Sequence, residues 1–238
     1  MWEKVSSSRW STLVFAIVCL TIAAWVFSGY WATTAPGPTY NVMDNLSPKS
    51  PVSHVSGSLL LMTVLVNQDA SGTAAVACSF SSDCNVSHSL EPFSSGNVQQ
   101  QRDTSDANAA TYAARQSGVE PQFTVAISNV GGPSAGLVSS LALTAAQTGT
   151  VPVPAGETVA VTGTVDPAGN VGPVGGVGLK ALAAVRDGAS VFLVPVGEVE
   201  LADDIAEGAL TVVGVETVSQ AWGWLCANGA YGPLCEPS

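Results

Sequence analysis

Ser134 and Lys180 are the residues with the most chemistry to offer, and each sits in a glycine-rich run. Ser134 lies in Gly131-Gly132-Pro133-Ser134-Ala135-Gly136. Lys180 follows Gly175-Gly176-Val177-Gly178-Leu179 and is the only lysine after residue 49. Pro133 suits the first position of a helix, because it has no N–H to leave unpaired and its φ is preset. With Gly132 and Pro133 shaping the turn, the backbone N–H groups of Ser134 and Ala135 lack intrahelical acceptors at an electropositive helix end. Such a helix start can hold an oxyanion. A serine nucleophile needs a base, and Lys180 is the leading candidate if burial keeps its amine neutral. On a helix it shares a face with Val177, Ala183 and Ala184, which are small and apolar.

Other readings of the serine meet obstacles. Gly132-Pro133-Ser134-Ala135-Gly136 fits G-x-S-x-G, the nucleophile elbow of α/β-hydrolases, but those enzymes carry their histidine after the serine. Here the histidines, His54 and His88, both precede it. A Ser-x-x-Lys arrangement is excluded, since no serine stands three residues before Lys180. A Ser–Lys dyad survives. Taken singly, a serine at a helix start is usually a cap and a lone lysine a solvated charge. The run Gly176-Val177-Gly178-Leu179-Lys180-Ala181 also fits a dinucleotide fingerprint, with Glu198 and Glu200 downstream. The chain after it is too short for such a domain, so these glycines read as a turn delivering the lysine helix.

Together the motifs carry a resemblance. Gly-Pro-Ser-Ala-Gly around Ser134, then Thr162-Gly163-Thr164-Val165, then Gly169-Asn170-Val171-Gly172-Pro173-Val174-Gly175-Gly176 resemble the proteolytic domain of Lon proteases over roughly residues 56–225. The resemblance implies Ser134 as nucleophile, Lys180 as base and Thr162 as the hydroxyl that holds the lysine. It implies an α+β fold of the Lon proteolytic type and a protein or peptide substrate, and leaves room for a homo-oligomer by analogy. The likeness is nearest to membrane-anchored bacterial Lon-like proteases without an ATPase. It departs in two places. Gly131 stands where cytosolic Lon proteases carry an acidic residue, and the segment before the protease region is too short for a PDZ domain.

Composition agrees with a chain working away from nucleic acid. The net charge is −11, and after residue 32 five Lys/Arg face seventeen Asp/Glu, a surface that repels phosphate backbones. Residues 1–11 are polar with Lys4 and Arg9, and the uncharged run that follows predicts a transmembrane helix over 12–32. Trp10, Tyr30 and Trp31 fit interfacial belts, and the basic residues predict a cytoplasmic N-terminus with the body outside. A cleaved signal peptide competes with this reading, but Pro36 is unfavourable after its best cleavage site. Residues 33–55 read as a Pro/Ser-rich linker, 56–226 as the protease domain and 227–238 as a tail.

Within the domain, an apolar strand runs over 59–66, and 79–102 reads as an irregular excursion. Helices are expected at 103–117, capped by Asp103 or Thr104, then after Ser134, over Lys180, near 199–207 and near the end. Strands are expected at 123–128, 158–165, 191–194 and 210–213. Cys19 lies in the predicted anchor, leaving Cys78, Cys84, Cys226 and Cys235 outside. An even count in an oxidising compartment suggests disulfides, with three pairings open. The local pairs Cys78–Cys84 and Cys226–Cys235 are preferred because each closes a short polar loop. No C-x-x-C or His/Asp/Glu cluster asks for a metal, and nothing asks for ATP or another cofactor.

Overall fold

A computed structural model describes residues 3–27, 30–89, 95–128 and 130–236. In chain order the elements are α1 (Glu3–Phe27), β1 (Tyr30–Pro36), β2 (Tyr40–Asn41), β3 (Leu46–Ser47), β4 (Ser58–Leu61), β5 (Val64–Ala70), α2 (Gly72–Ser79) and β6 (Asn85–Ser89). They continue as α3 (Ser95–Ser117), β7 (Thr124–Val125), α4 (Gly136–Thr148), β8 (Thr158–Val161), β9 (Thr164–Val165) and β10 (Val171–Gly172). The last are α5 (Val177–Arg186), β11 (Val191–Pro195), α6 (Val199–Ala206), β12 (Thr211–Val215) and α7 (Val218–Ala227). The chain divides into two compact units, residues 1–35 with 66–93 and residues 36–65 with 94–238.

The first unit contains α1, α2 and a three-stranded sheet in the order β5-β1-β6. β1 and β6 pair antiparallel, with Thr33 opposite Val86. Trp31, Ala70 and Ala75 form a small core against Val86. Ser71 caps α2 by accepting from the Ala74 N–H. The Cys78–Cys84 disulfide then ties the end of α2 to the approach to β6. The expected membrane span over 12–32 is not found. Among the described residues no helix is long and apolar enough to cross a membrane. Nor does the helix continue to residue 32. It ends at Phe27, and Trp31, expected at a membrane interface, is buried in strand β1. The β-branched pair Thr33-Thr34 on that strand suits the ladder.

The second unit is built on a five-stranded sheet in the order β12-β11-β8-β4-β2. β4, β8, β11 and β12 are parallel, and β2 closes one edge antiparallel. Parallel strands covered on both faces read as unbroken apolar runs, as Leu59-Leu60-Leu61-Met62 and Val191-Phe192-Leu193-Val194 do. Alternation divides their side chains between two cores. Leu59, Leu61, Val159, Val161 and Leu193 join α4, α7 and part of α3, whereas Leu60, Met62, Ala160, Phe192 and Val194 join α5 and α6. Helices and strands are thus mixed as expected, but the layers are helix–sheet–helix around a largely parallel sheet rather than the segregated α+β arrangement.

Several local expectations change. Residues 33–55 are not a free tether: β2 pairs with β4, and Val42, Met43 and Leu46 are buried in the core. The polar run 79–102 is not irregular throughout, because β6 and the first turns of α3 fall within it. α3 starts at Ser95, so Asp103 and Thr104 are interior residues rather than caps. There Thr104 Oγ1 donates to the Gln100 carbonyl and Gln99 donates to Asp103, satisfying side chains that otherwise compete with the helix. Gly118 (φ +70°) and Gly149 (φ +73°) stop α3 and α4 in the left-handed conformation expected of a glycine stop. Cys226–Cys235 fastens the end of α7, so both local disulfides form.

Candidate active site

Ser134 occupies a single 3-10 turn, Pro133–Ala135, that leads straight into α4. Pro133 takes the first position of that turn, and Gly132 precedes it at φ +85°, a conformation glycine adopts without strain. α4 is buried along almost its whole length, so its start is fixed by packing as well as by sequence. Gly136 lies so close to β9 that a Cβ there would meet the Val165 nitrogen at 2.8 Å and Ser105 Oγ at 2.9 Å. Ser134 itself is half-buried.

The lysine arrives from the opposite face. β9 and β10 form a hairpin around Asp166, whose carboxylate accepts from the Ala168 and Asn170 N–H groups. Gly176, at φ +67°, turns the chain into α5, and a side chain there would collide with Val64. Lys180 sits one turn into α5 with only 2% of its surface exposed. Burial lowers its pKa from 10.5 to about 8, and the Glu198 carboxylate opposes that shift.

Thr162, which directly follows β8, links the two sides. Strand alternation turns its side chain toward the α5 face, where Lys180 Nζ donates to Thr162 Oγ1 at 3.0 Å. The threonine hydroxyl donates in turn to the Ser134 carbonyl at 3.4 Å, and the Gly163 N–H reaches the same carbonyl at 3.1 Å. Ser134 and Lys180 therefore converge at the carboxyl end of β8, the edge where parallel sheets place their sites. The residues read from sequence as nucleophile, base and lysine holder meet in one place. Among the described hydrogen bonds none joins Ser134 Oγ to Lys180 Nζ, so the threonine is the bridge.

Other residues come to the site without having been marked in the sequence. Glu198, read above only within a fingerprint, accepts from the Val174 N–H at 2.7 Å and steadies the approach to α5. Ser105, read as part of a helix start, donates to the Pro133 carbonyl at 2.9 Å. Its role depends on where α3 packs, and no local motif reports that. His54 is exposed on a 3-10 turn, and the His88 side chain falls outside the described residues. Among the described residues no His, Cys, Asp or Glu cluster is arranged to hold a metal.

The site thus holds a deeply buried lysine of lowered pKa, joined through Thr162 to the backbone of a serine at a helix start. Residues 124–222 match the family model of the Lon protease (S16) C-terminal proteolytic domain. The match supports a Lon-type, serine-protease-class proteolytic domain over that stretch. The match spans β7 to α7 and includes Ser134, Thr162 and Lys180. No curated protein matches the chain.

Proposed function

We propose that the chain is an ATP-independent serine peptidase that cleaves protein or peptide substrates with a Ser134–Lys180 dyad. Ser134 Oγ attacks the scissile carbonyl while the neutral Lys180 amine takes its proton and later returns it to the leaving amine. Backbone N–H groups of Ser134 and Ala135 receive the oxyanion. Thr162 keeps the lysine within reach. The observation that carries this reading is the burial of Lys180 with its Nζ on Thr162 Oγ1 at 3.0 Å and its pKa near 8. A base working near neutral pH needs an amine desolvated in this way.

Membrane attachment through the N-terminal helix and work outside the cytoplasm belong to the same proposal. They are supported by the exposed apolar side chains of α1, among them Trp10, Phe15 and Leu20, and by the two disulfides. Removal of residues 1–27 should release the protein from membranes. If the full chain already washes off in alkali, the attachment is wrong.

The dyad is tested by intact mass after treating the full-length protein with a serine-directed phosphonate. One adduct, lost in Ser134→Ala and in Lys180→Ala, is the expected result, because the two residues act as a unit. The competing reading is a catalytically silent Lon-like scaffold. Wild-type protein that forms no adduct in detergent or in membranes would establish it.

A further inference from the structure

Helix α3 lies outside the matched proteolytic segment, yet it grips the serine loop at three successive residues. Val98, Arg102 and Ser105 are spaced i, i+4 and i+7, so they share one side of the helix. Val98 approaches Gly131 so closely that a Cβ there would come within 2.5 Å of Val98 Cγ1, which accounts for the glycine at that position. The Val98 carbonyl accepts from the Gly132 N–H at 3.0 Å. Ser105 Oγ, on a residue 3% exposed, donates to the Pro133 carbonyl at 2.9 Å. Between them Arg102 is buried and paired with Asp106 of the same helix at 2.8 Å.

The Pro133 bond has a consequence for the next residue. In a trans peptide the C=O and the following N–H point in opposite directions. A Pro133 carbonyl held by Ser105 therefore aims the Ser134 N–H away from α3. The Ser134 carbonyl, held by the Gly163 N–H and Thr162 Oγ1, likewise aims the Ala135 N–H away from residues 162–163. Both donors assigned to the oxyanion are thus set by bonds to the carbonyls behind them. The Gly136 N–H is the only other described donor to the Pro133 carbonyl, and it comes from within the serine turn itself. Of these two, Ser105 is the donor that ties the Pro133 carbonyl to another element.

We propose that Ser105 is a positioning residue that aims the Ser134 N–H, so that α3 completes the oxyanion site of the dyad; this rests on the peptidase reading above. The hydroxyl touches no reacting atom and acts through the Pro133–Ser134 peptide plane.

The test compares full-length wild type, Ser105→Ala and Asn108→Ala by the rate of adduct formation with a serine-directed phosphonate, measured across pH. Asn108 is the control, since it lies on the same helix and donates to the Val165 carbonyl at 2.9 Å rather than to the serine loop. Ser105→Ala should label about 10- to 100-fold more slowly, the scale of misplacing a catalytic group. Its pH midpoint should stay at the wild-type value, because Lys180 remains buried. Asn108→Ala should label like wild type. Should Ser105→Ala not fold, Ser105→Cys, which keeps a weak donor, replaces it and should fall between. Labelling of the Ser105 variant at the wild-type rate overturns the inference and leaves the peptidase reading intact. Equal slowing in both variants, or a midpoint moved upward, means general loosening and overturns it too. No labelling of wild type removes the peptidase reading and this inference together.

Discussion

Lys180 Nζ donates to Thr162 Oγ1 at 3.0 Å, and the two residues come from opposite directions, one from the first turns of a helix and one from the end of a strand. The threonine binds the lysine and the Ser134 carbonyl at once. The lysine is therefore placed relative to the serine's backbone rather than to its hydroxyl.

Thr162→Val keeps the shape and removes both bonds. Phosphonate labelling of Ser134 should slow about 10- to 100-fold, because a base displaced by a fraction of a bond length loses reach. The buried amine also loses its acceptor, so thermal unfolding should show about 1–3 kcal/mol of destabilisation. Labelling at the wild-type rate would remove Thr162 from the mechanism.

Reaction rate should rise with pH through about 8, since the proposed proton acceptor is the neutral Lys180 amine. Stability follows the same group. Its folded pKa lies below its unfolded value near 10.5, so the unfolded chain binds more protons between about 8 and 10.5. Stability therefore rises with pH across that window and falls as pH drops through it, by up to about 3 kcal/mol in total. Denaturant unfolding of wild type and Lys180→Met across pH 7–11 separates this contribution from the rest of the titration.

Lys180→Met should abolish labelling yet stabilise the fold at pH 7. It replaces a buried cation with an apolar chain of similar length, and a gain of about 1–3 kcal/mol is expected. A clear loss of stability would show that the lysine is not desolvated.

Glu198→Gln removes the carboxylate that holds the Lys180 pKa up against burial. The amide can still accept from the Val174 N–H, so the loop is kept. The labelling midpoint should move to lower pH while the plateau rate holds. An upward or absent shift would count against electrostatic contact between the two.

Gly136→Ala places a Cβ against the Val165 backbone nitrogen, which has no rotamer with which to move aside. A cost of about 1–3 kcal/mol is expected from overpacking, with slower labelling as the serine turn shifts away from β9. Gly175→Ala, where a Cβ meets nothing within 4 Å, is the control.

Much of the site was legible in the sequence because its signals are local. Pro133 after Gly132 marks a helix start, Gly176 a tight turn, and Lys180 stands alone among small apolar neighbours. The same holds for Gly118 and Gly149 as helix stops and for the apolar run of β11, whereas the run expected as one strand over 59–66 divides between β4 and β5. The two disulfides closed as the local pairs because short polar loops bring their ends together without help from the rest of the fold.

What the tertiary structure decided depends on where elements meet. An uncharged N-terminal run looks the same whether it is helix as far as residue 32 or helix only to Phe27, with Trp31 buried in a strand; pairing of β1 with β6 chose the second. Pro- and Ser-rich residues 33–55 read as a linker until β2 paired with β4 and buried Met43. Asp103 and Thr104 mimic caps, and only the turns before them, packed over the serine loop, make them interior. Ser105 is a plain helical serine in the sequence. Its bond to Pro133 exists because α3 lies across residues far along the chain, and no periodicity encodes that distance. The chemistry was written in residue types and spacing, while the aim of each donor was set by packing.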